Sequence, residues 1–151
     1  MAKYNFNAEL YDNPLTEKEG DYIARPVKLE IDGYKEREVL MVKYEFDQAT
    51  DVEGQMSGIP RGGKINIRVK ALNDGTPDLL AWMVERNLPK NGVITFLETK
   101  TGKNMKTIKF TNGYCVNFEE RWEDKKGHFE EIEISCQKIE FESVVFENDW
   151  A

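Results

Sequence analysis

The sequence predicts a mainly β fold, an antiparallel two-sheet β-barrel or sandwich with one short α-helix over about residues 77–87. Three observations carry that prediction. Apolar and polar residues alternate over most of the chain, and Gly, Asn and Pro recur between the alternating runs. A single stretch, "DGTPDLLAWMVERNLPKNG" from Asp74 to Gly92, spaces its apolar residues as a helix does. At 151 residues, the length suits one domain with a real core.

The elements follow in order. "KYNFNAEL" alternates Tyr4, Phe6, Ala8 and Leu10 with Asn5, Asn7 and Glu9, the period of a strand with one buried face, and "YDNPLTEKEGD" reads as a polar turn. "RPVKLEI" and "REVLMVKYEF" flank Asp32-Gly33 and predict a hairpin. Its second strand is apolar on both sides, with Val39 and Met41 on one and Leu40, Val42, Tyr44 and Phe46 on the other. Val52 to Gly63, "VEGQMSGIPRGG", has four glycines, a proline and no periodicity. A loop of that length in a compact domain tends to be functional or mobile.

Ile65, Ile67, Val69 and Ala71 then alternate with Lys64, Asn66, Arg68 and Lys70, which predicts a strand with one apolar and one basic face. In the helix, Thr76 is the expected N-cap, Pro77 the first helical residue, and Asn87 and Pro89 the stop. Leu79, Trp82 and Met83 form its core face, with Leu80 and Val84 outside that face. The strands "GVITFLE", "KTIKF", "YCVNFEERW" and "FEEIEISCQKIEF" come next, joined by "TKTGKN", "TNG" and "EDKKGH", as an antiparallel meander. In the last of them the apolar phase slips between Cys136 and Ile139, which predicts a bulge or bend. The total is seven or eight strands around one helix.

Composition narrows the function. The net charge of -7 lies in the last fifth of the chain, where residues 119–151 carry 11 acidic and 4 basic side chains against 17 of each in residues 1–118. That balance opposes nucleic-acid binding, which needs clustered Lys and Arg. No apolar run approaches the roughly 20 residues of a membrane helix, so no membrane insertion is expected. The first residues show no signal-peptide pattern, which points to synthesis ending in the cytoplasm. Cys115 and Cys136 fall inside strands and read as buried free thiols. His128, the only histidine, sits in a turn, and no spacing matches a metal, phosphate-loop or triad pattern. No catalytic, cofactor-binding or metal-ligating residue is assigned, and a binding or structural protein is expected over an enzyme.

The run from Asp51 to Phe118 resembles the tube protein of type VI secretion systems, the Hcp or TssD family, in its Bacteroidetes form. The resemblance is carried by an acidic residue and Gly before the long loop, Gly62-Gly63 opening a strand, and Asp74 ahead of "LLAWMV". "GVITF", "MKTIKFTNGYCVNF" and the terminal "FENDW" complete it. It implies a single Hcp-like barrel domain over 23–151 that forms a homohexamer, with rings stacked into a hollow tube. The implied partners are a contractile sheath, a VgrG-type spike and effector proteins, with secretion by the type VI machinery. Residues 1–22 stand apart as an N-terminal extension, a strand plus turn.

The implied oligomer interface takes Glu53, Gly54, Gln55, Met56, Ile59, Pro60 and Arg61 from the loop, and Leu80 and Val84 from the helix. Lys64, Asn66, Arg68 and Lys70 form the expected ring-end or lumen surface, attracting the acidic C-terminal region of a neighbouring ring. A phage-type tail tube or related contractile-injection tube protein shares this pattern, and a monomeric β-barrel binding module is the remaining alternative.

Overall fold

The computed structural model describes residues 26–150. The strand expected at "KYNFNAEL", the turn after it, and the boundary between an extension and residue 23 lie outside the described residues. β1 (Val27–Ile31) and β2 (Arg37–Tyr44) form the expected hairpin, turning where Gly33 takes φ 84° and the Tyr34 N–H donates to the Ile31 carbonyl at 2.9 Å. β3 (Lys64–Lys70) pairs with β2, α1 (Asp78–Val84) follows, and β4 (Lys90–Leu97) returns beside β1. β5 (Asn104–Glu123) and β6 (Gly127–Phe141) make one long hairpin, and β7 (Val144–Glu147) folds back on β6.

Every pairing is antiparallel, in the order β3-β2-β1-β4-β5-β6, and β6 returns to β3 with Ile65 opposite Ile134 and Ile67 opposite Ile132. Closure removes the sheet edges over that length. The alternation then decides what faces inward: Leu29, Ile65, Ile67, Val69, Ile94, Ile108, Ile132, Ile134 and Ile139 fill the barrel, all buried.

Three sequence expectations change. First, β2 is bulged between Val39 and Met41, so Val39, Val42 and Tyr44 share the core side while Met41 lies opposite Arg68 on the outer side. Second, "TNG" is a bend within β5 and not a hairpin. Asn112 takes φ 52°, its N–H donates to Asn91 Oδ1 at 2.9 Å, and its side-chain amide donates to Gln137 Oε1 at 2.7 Å, so the strand continues with β4 on one side and β6 on the other.

The phase slip in β6 lies at the same level as this bend. β5 and β6 change their inward face together, from Phe110 and Ile139 to Gly113 and Cys136, with no shift in their mutual register there. The β5–β6 register shift falls farther along, between Cys115 and Asn117. β6 also exchanges partners at the slip, pairing with β3 through Ser135 and with β7 from Lys138 onward.

Third, α1 is seven residues long, with Pro77 at the cap position and no side-chain cap; Glu85 is already extended. Thr76 does not cap it. The Thr76 N–H instead donates to Asp74 Oδ1 at 2.9 Å; Lys35, bound to the other oxygen of that carboxylate, holds the Asp74 carboxyl well below the usual carboxylate range, and the Thr76 N–H adds to it. So short a helix does not persist alone. Leu79 and Trp82 bury themselves against the barrel, Trp82 meets the Tyr34 ring edge-on at 6.3 Å, and its indole N–H donates to the Leu88 carbonyl at 2.8 Å. That last bond draws the chain back over the helix and stops it before Asn87.

A buried ionic cluster fixes the start of α1. Arg37 opens β2 in the inward phase, opposite Leu29, with 2% of its surface exposed. Its guanidinium donates to Asp78 Oδ1 at 3.0 Å, to the Lys70 carbonyl at 3.2 Å and to the Glu130 carboxylate. Arg37 Nε and Asp78 Oδ2 are buried without a partner among the described residues. Replacing Arg37 with Met leaves two buried carboxylates without their counter-charge, so Arg37→Met is expected to lose about 3–5 kcal/mol of stability in denaturant unfolding. A loss below about 1 kcal/mol shows that the cluster does not hold this end of the barrel.

Packing at the bend is equally tight. A Cβ at Gly92 would lie 2.4 Å from the Phe110 ring and 2.9 Å from the Glu30 carbonyl, and one at Gly113 would lie 2.9 Å from the other edge of the same ring. Gly92→Ala therefore forces Phe110 or the β1–β4 ladder to move, with an expected cost of ~1–3 kcal/mol by thermal or denaturant unfolding.

Candidate functional site

The described residues hold no assembled catalytic centre. His128 Nε2 lies 2.7 Å from Glu120 Oε2 on an exposed face of the β5–β6 hairpin, with no nucleophile in the pair's hydrogen bonds. Cys115 and Cys136 are buried free thiols on neighbouring strands. Burial pushes the Cys115 thiol up to about 11, against a small opposing pull from the Asn117 backbone, and the Cys136 thiol up to about 12. Neither forms a thiolate at neutral pH. No group of three or more His, Cys, Asp or Glu gathers as a metal site, and no helix is long and apolar enough to cross a membrane, among the described residues.

The surface carries the candidate features instead. Between β2 and β3 the chain forms an arm with bonds of its own, where the sequence showed no periodicity. Asp47 and Arg61 exchange two backbone hydrogen bonds, the Ser57 N–H donates to the Ala49 carbonyl, and Thr50 bridges to Met56. At the tip, Asp51 Oδ1 accepts the N–H groups of Glu53 and Gln55, both at 2.9 Å, and Gly54 takes φ 88°. An aspartate holding its own turn in this way orders a loop without any core beneath it. Met56 and Ile59 are left 65% and 77% exposed, Val52 fully so. Arg61 meets Asp47 at 4.0 Å, an exposed pair of little weight.

The predicted interface residues therefore divide. Glu53, Gly54, Gln55, Met56, Ile59, Pro60 and Arg61 lie along the arm, which leaves the barrel where β3 starts. Leu80 and Val84 lie on α1, which follows the other end of β3, and they are 41% and 67% exposed. The two sets thus follow from opposite ends of β3, a seven-residue strand roughly 20 Å long.

The basic face of β3 is partly matched inside the subunit. Arg68 Nε pairs with Glu131 at 3.1 Å while its guanidinium stacks 4.6 Å above the Phe129 ring, and Lys70 lies 3.6 Å from Glu38. Asn66 stands between Lys43 and Glu133, and Lys64 opposite Ser135. Closure of β6 on β3 brings Glu131 beside Arg68, while the acid near Lys70 is Glu38 of the neighbouring β2.

Sequence reasoning missed two features here. One is the Arg37–Asp78–Glu130 cluster, whose signal was present: Arg37 shares the phase of Val39, and Glu130 that of Ile132 and Ile134. The other is an apolar groove of about 420 Å³ at the arm end of the barrel, lined by Tyr44, Phe46, Pro60, Phe141, Val144 and Phe146, among others. Phe46 meets Tyr44, Phe141 and Phe146 with ring centroids 6.2, 5.9 and 4.9 Å away. By its alternation Phe46 reads as one more strand residue, and only the return of β7 assembles the wall.

Comparison with known proteins gives the family. The model of the hemolysin coregulated protein Hcp (TssD) family matches residues 24–151. Among solved structures, Hcp1 from Flavobacterium johnsoniae is 31% identical with a TM-score of 0.76, covering 82% of this chain and 99% of that one. A mutant of the Hcp1 protein from E. coli EAEC 042 is 16% identical with a TM-score of 0.68, over 84% and 100% of the two chains. The secreted protein Hcp3 from Pseudomonas aeruginosa is 14% identical with a TM-score of 0.57, over 85% and 99%, and these last two show the shared fold. No curated protein matches. The chain belongs to the Hcp (TssD) family, the structural tube proteins of type VI secretion.

Proposed function

We propose that this chain is the repeating subunit of a type VI inner tube: six copies close into a ring, and rings stack into a hollow tube. A contractile sheath drives that tube behind a VgrG-type spike, and effector proteins travel in its lumen. The subunit waits in the cytoplasm and leaves through the machine itself. Lys64, Asn66, Arg68 and Lys70 contribute a ring-end or lumen surface in this reading, and in the β3–β6 ladder Lys64 stands opposite Ser135 and Lys70 opposite Phe129, so neither meets an acid there.

The observation that carries the reading is the match to Flavobacterium johnsoniae Hcp1 over 99% of that chain at 31% identity. The surface supports it physically. An apolar arm leaves one end of the barrel and an apolar helix side lies at the other, which suits heterologous contacts between copies, where one patch meets a different one and rotation closes the ring.

The purified chain is expected to run by light scattering at about six times its 17.5 kDa mass and to show rings with a central hole in negative stain. A strict monomer at high concentration rejects the proposal. In a Leu80→Asp, Val84→Asp variant, ring formation is expected to fall at least about tenfold while the far-ultraviolet circular dichroism is unchanged, since both side chains are exposed in the single subunit. Met56→Asp with Ile59→Asp tests the arm in the same assay.

A further inference from the structure

The groove between β2, β6 and β7 is apolar, wide enough for several side chains, and open to solvent. Val144 is 64% exposed at its rim, a costly place for a valine beside four aromatic rings. β7 pairs with β6 along one edge, and no strand pairs with its other edge among the described residues. The groove therefore offers both an apolar floor and backbone groups that can receive one more extended segment.

The chain itself arrives at this end. Val27 stands opposite Phe96, and the Leu97 N–H donates to the Pro26 carbonyl at 2.9 Å, so everything upstream of Pro26 starts from the rim where β4 ends. Lys106 connects that rim to the groove: it lies over both the Phe96 and Tyr44 rings, donates to the Tyr44 hydroxyl at 3.2 Å and lines the groove. Fifteen residues separate Leu10 from Pro26, a reach of up to about 50 Å. "KYNFNAEL" places Tyr4, Phe6, Ala8 and Leu10 on one side of an extended segment, a chemical match to an aromatic and valine-lined groove. The family model starts at residue 24, and 82% of this chain covers 99% of the Flavobacterium johnsoniae structure. The segment is thus additional to the barrel those proteins share.

We infer that Tyr4–Leu10 of the same chain is the occupant of this groove, laying its apolar side on Phe46, Phe141 and Phe146 along the outer edge of β7. This inference does not rest on the tube reading. In the full chain, Phe6 is replaced by p-benzoylphenylalanine, and irradiated mixtures of light and heavy-isotope protein are mapped by mass spectrometry. Cross-links to Tyr44–Phe46 or Val144–Phe146 within one isotopic chain are expected.

Cross-links into the groove of another copy overturn the inference and make a neighbour the occupant; cross-links elsewhere, or none, overturn it outright. A second readout needs no cross-linker. Tyr4→Ser with Phe6→Ser in the full chain is expected to raise binding of an apolar fluorescent dye several-fold by uncovering the groove, and a Val145→Glu change alone is expected to raise it less. Unchanged dye binding in the double variant counts against the segment as occupant. Electron micrographs of the same samples keep the two ideas apart, since rings without the cross-link reject this inference alone.

Discussion

Arg37 reaches from the first residue of β2 into the end of the barrel, where its guanidinium bonds Asp78 at the start of α1, the Lys70 carbonyl at the end of β3 and Glu130 near the start of β6. Four elements of the chain therefore meet on one planar group. A guanidinium suits this because its donors are fixed in a fork and it keeps its charge when buried. Desolvating three ionic groups is expensive, and Asp78 Oδ2 and Arg37 Nε remain without partners among the described residues, so the cluster adds specificity more than stability. It defines where β3 stops, where α1 begins and which residues of β6 enter the barrel. The helix, seven residues with no side-chain cap, has no comparable anchor of its own.

At the opposite end the organising event is the change of partner along β6. Its first half closes the barrel against β3, and its second half runs past β3 and takes β7. A strand that loses one neighbour and gains another must rotate, and β5 rotates with it through the left-handed Asn112. Gly92 and Gly113 leave room for Phe110 at this turn of the sheet. The bend then places Phe141 and Phe146 against Phe46, which creates the apolar groove beside the arm. One geometric requirement thus accounts for the phase slip, two tight glycines and a surface feature.

The two ends differ in chemistry. One holds a buried ionic cluster under a helix with an exposed apolar side, and the other holds aromatic rings, a groove and an arm held by Asp51. The barrel wall between them pairs its charges internally, Arg68 with Glu131 and Lys70 with Glu38. The two ends of this Hcp (TssD) subunit are thus chemically unlike, with Arg68 and Lys70 of the wall between them each beside an acid.

Much of this is legible in the sequence alone. Period-two alternation fixed which residues of β1, β3 and β6 face inward, because side-chain direction in a strand is a local property. Asp32-Gly33, "TKTGKN" and "EDKKGH" marked real turns, and the helix could be located from Leu79 and Trp82. What local rules could not decide was anything set by a distant neighbour. "TNG" has the composition of a hairpin turn, yet it continues a strand because β4 and β6 already hold both of its edges. Thr76 has the chemistry of a cap, yet Asp74 takes its N–H and Arg37 takes the helix start. Arg68 and Lys70 read as a free basic surface, yet barrel closure supplies Glu131 to Arg68, and the pairing with β2 brings Glu38 to Lys70. Sequence determined the periodicity and the turns; the tertiary structure decided which edges, charges and apolar side chains were left over, because each depends on what lies across the barrel.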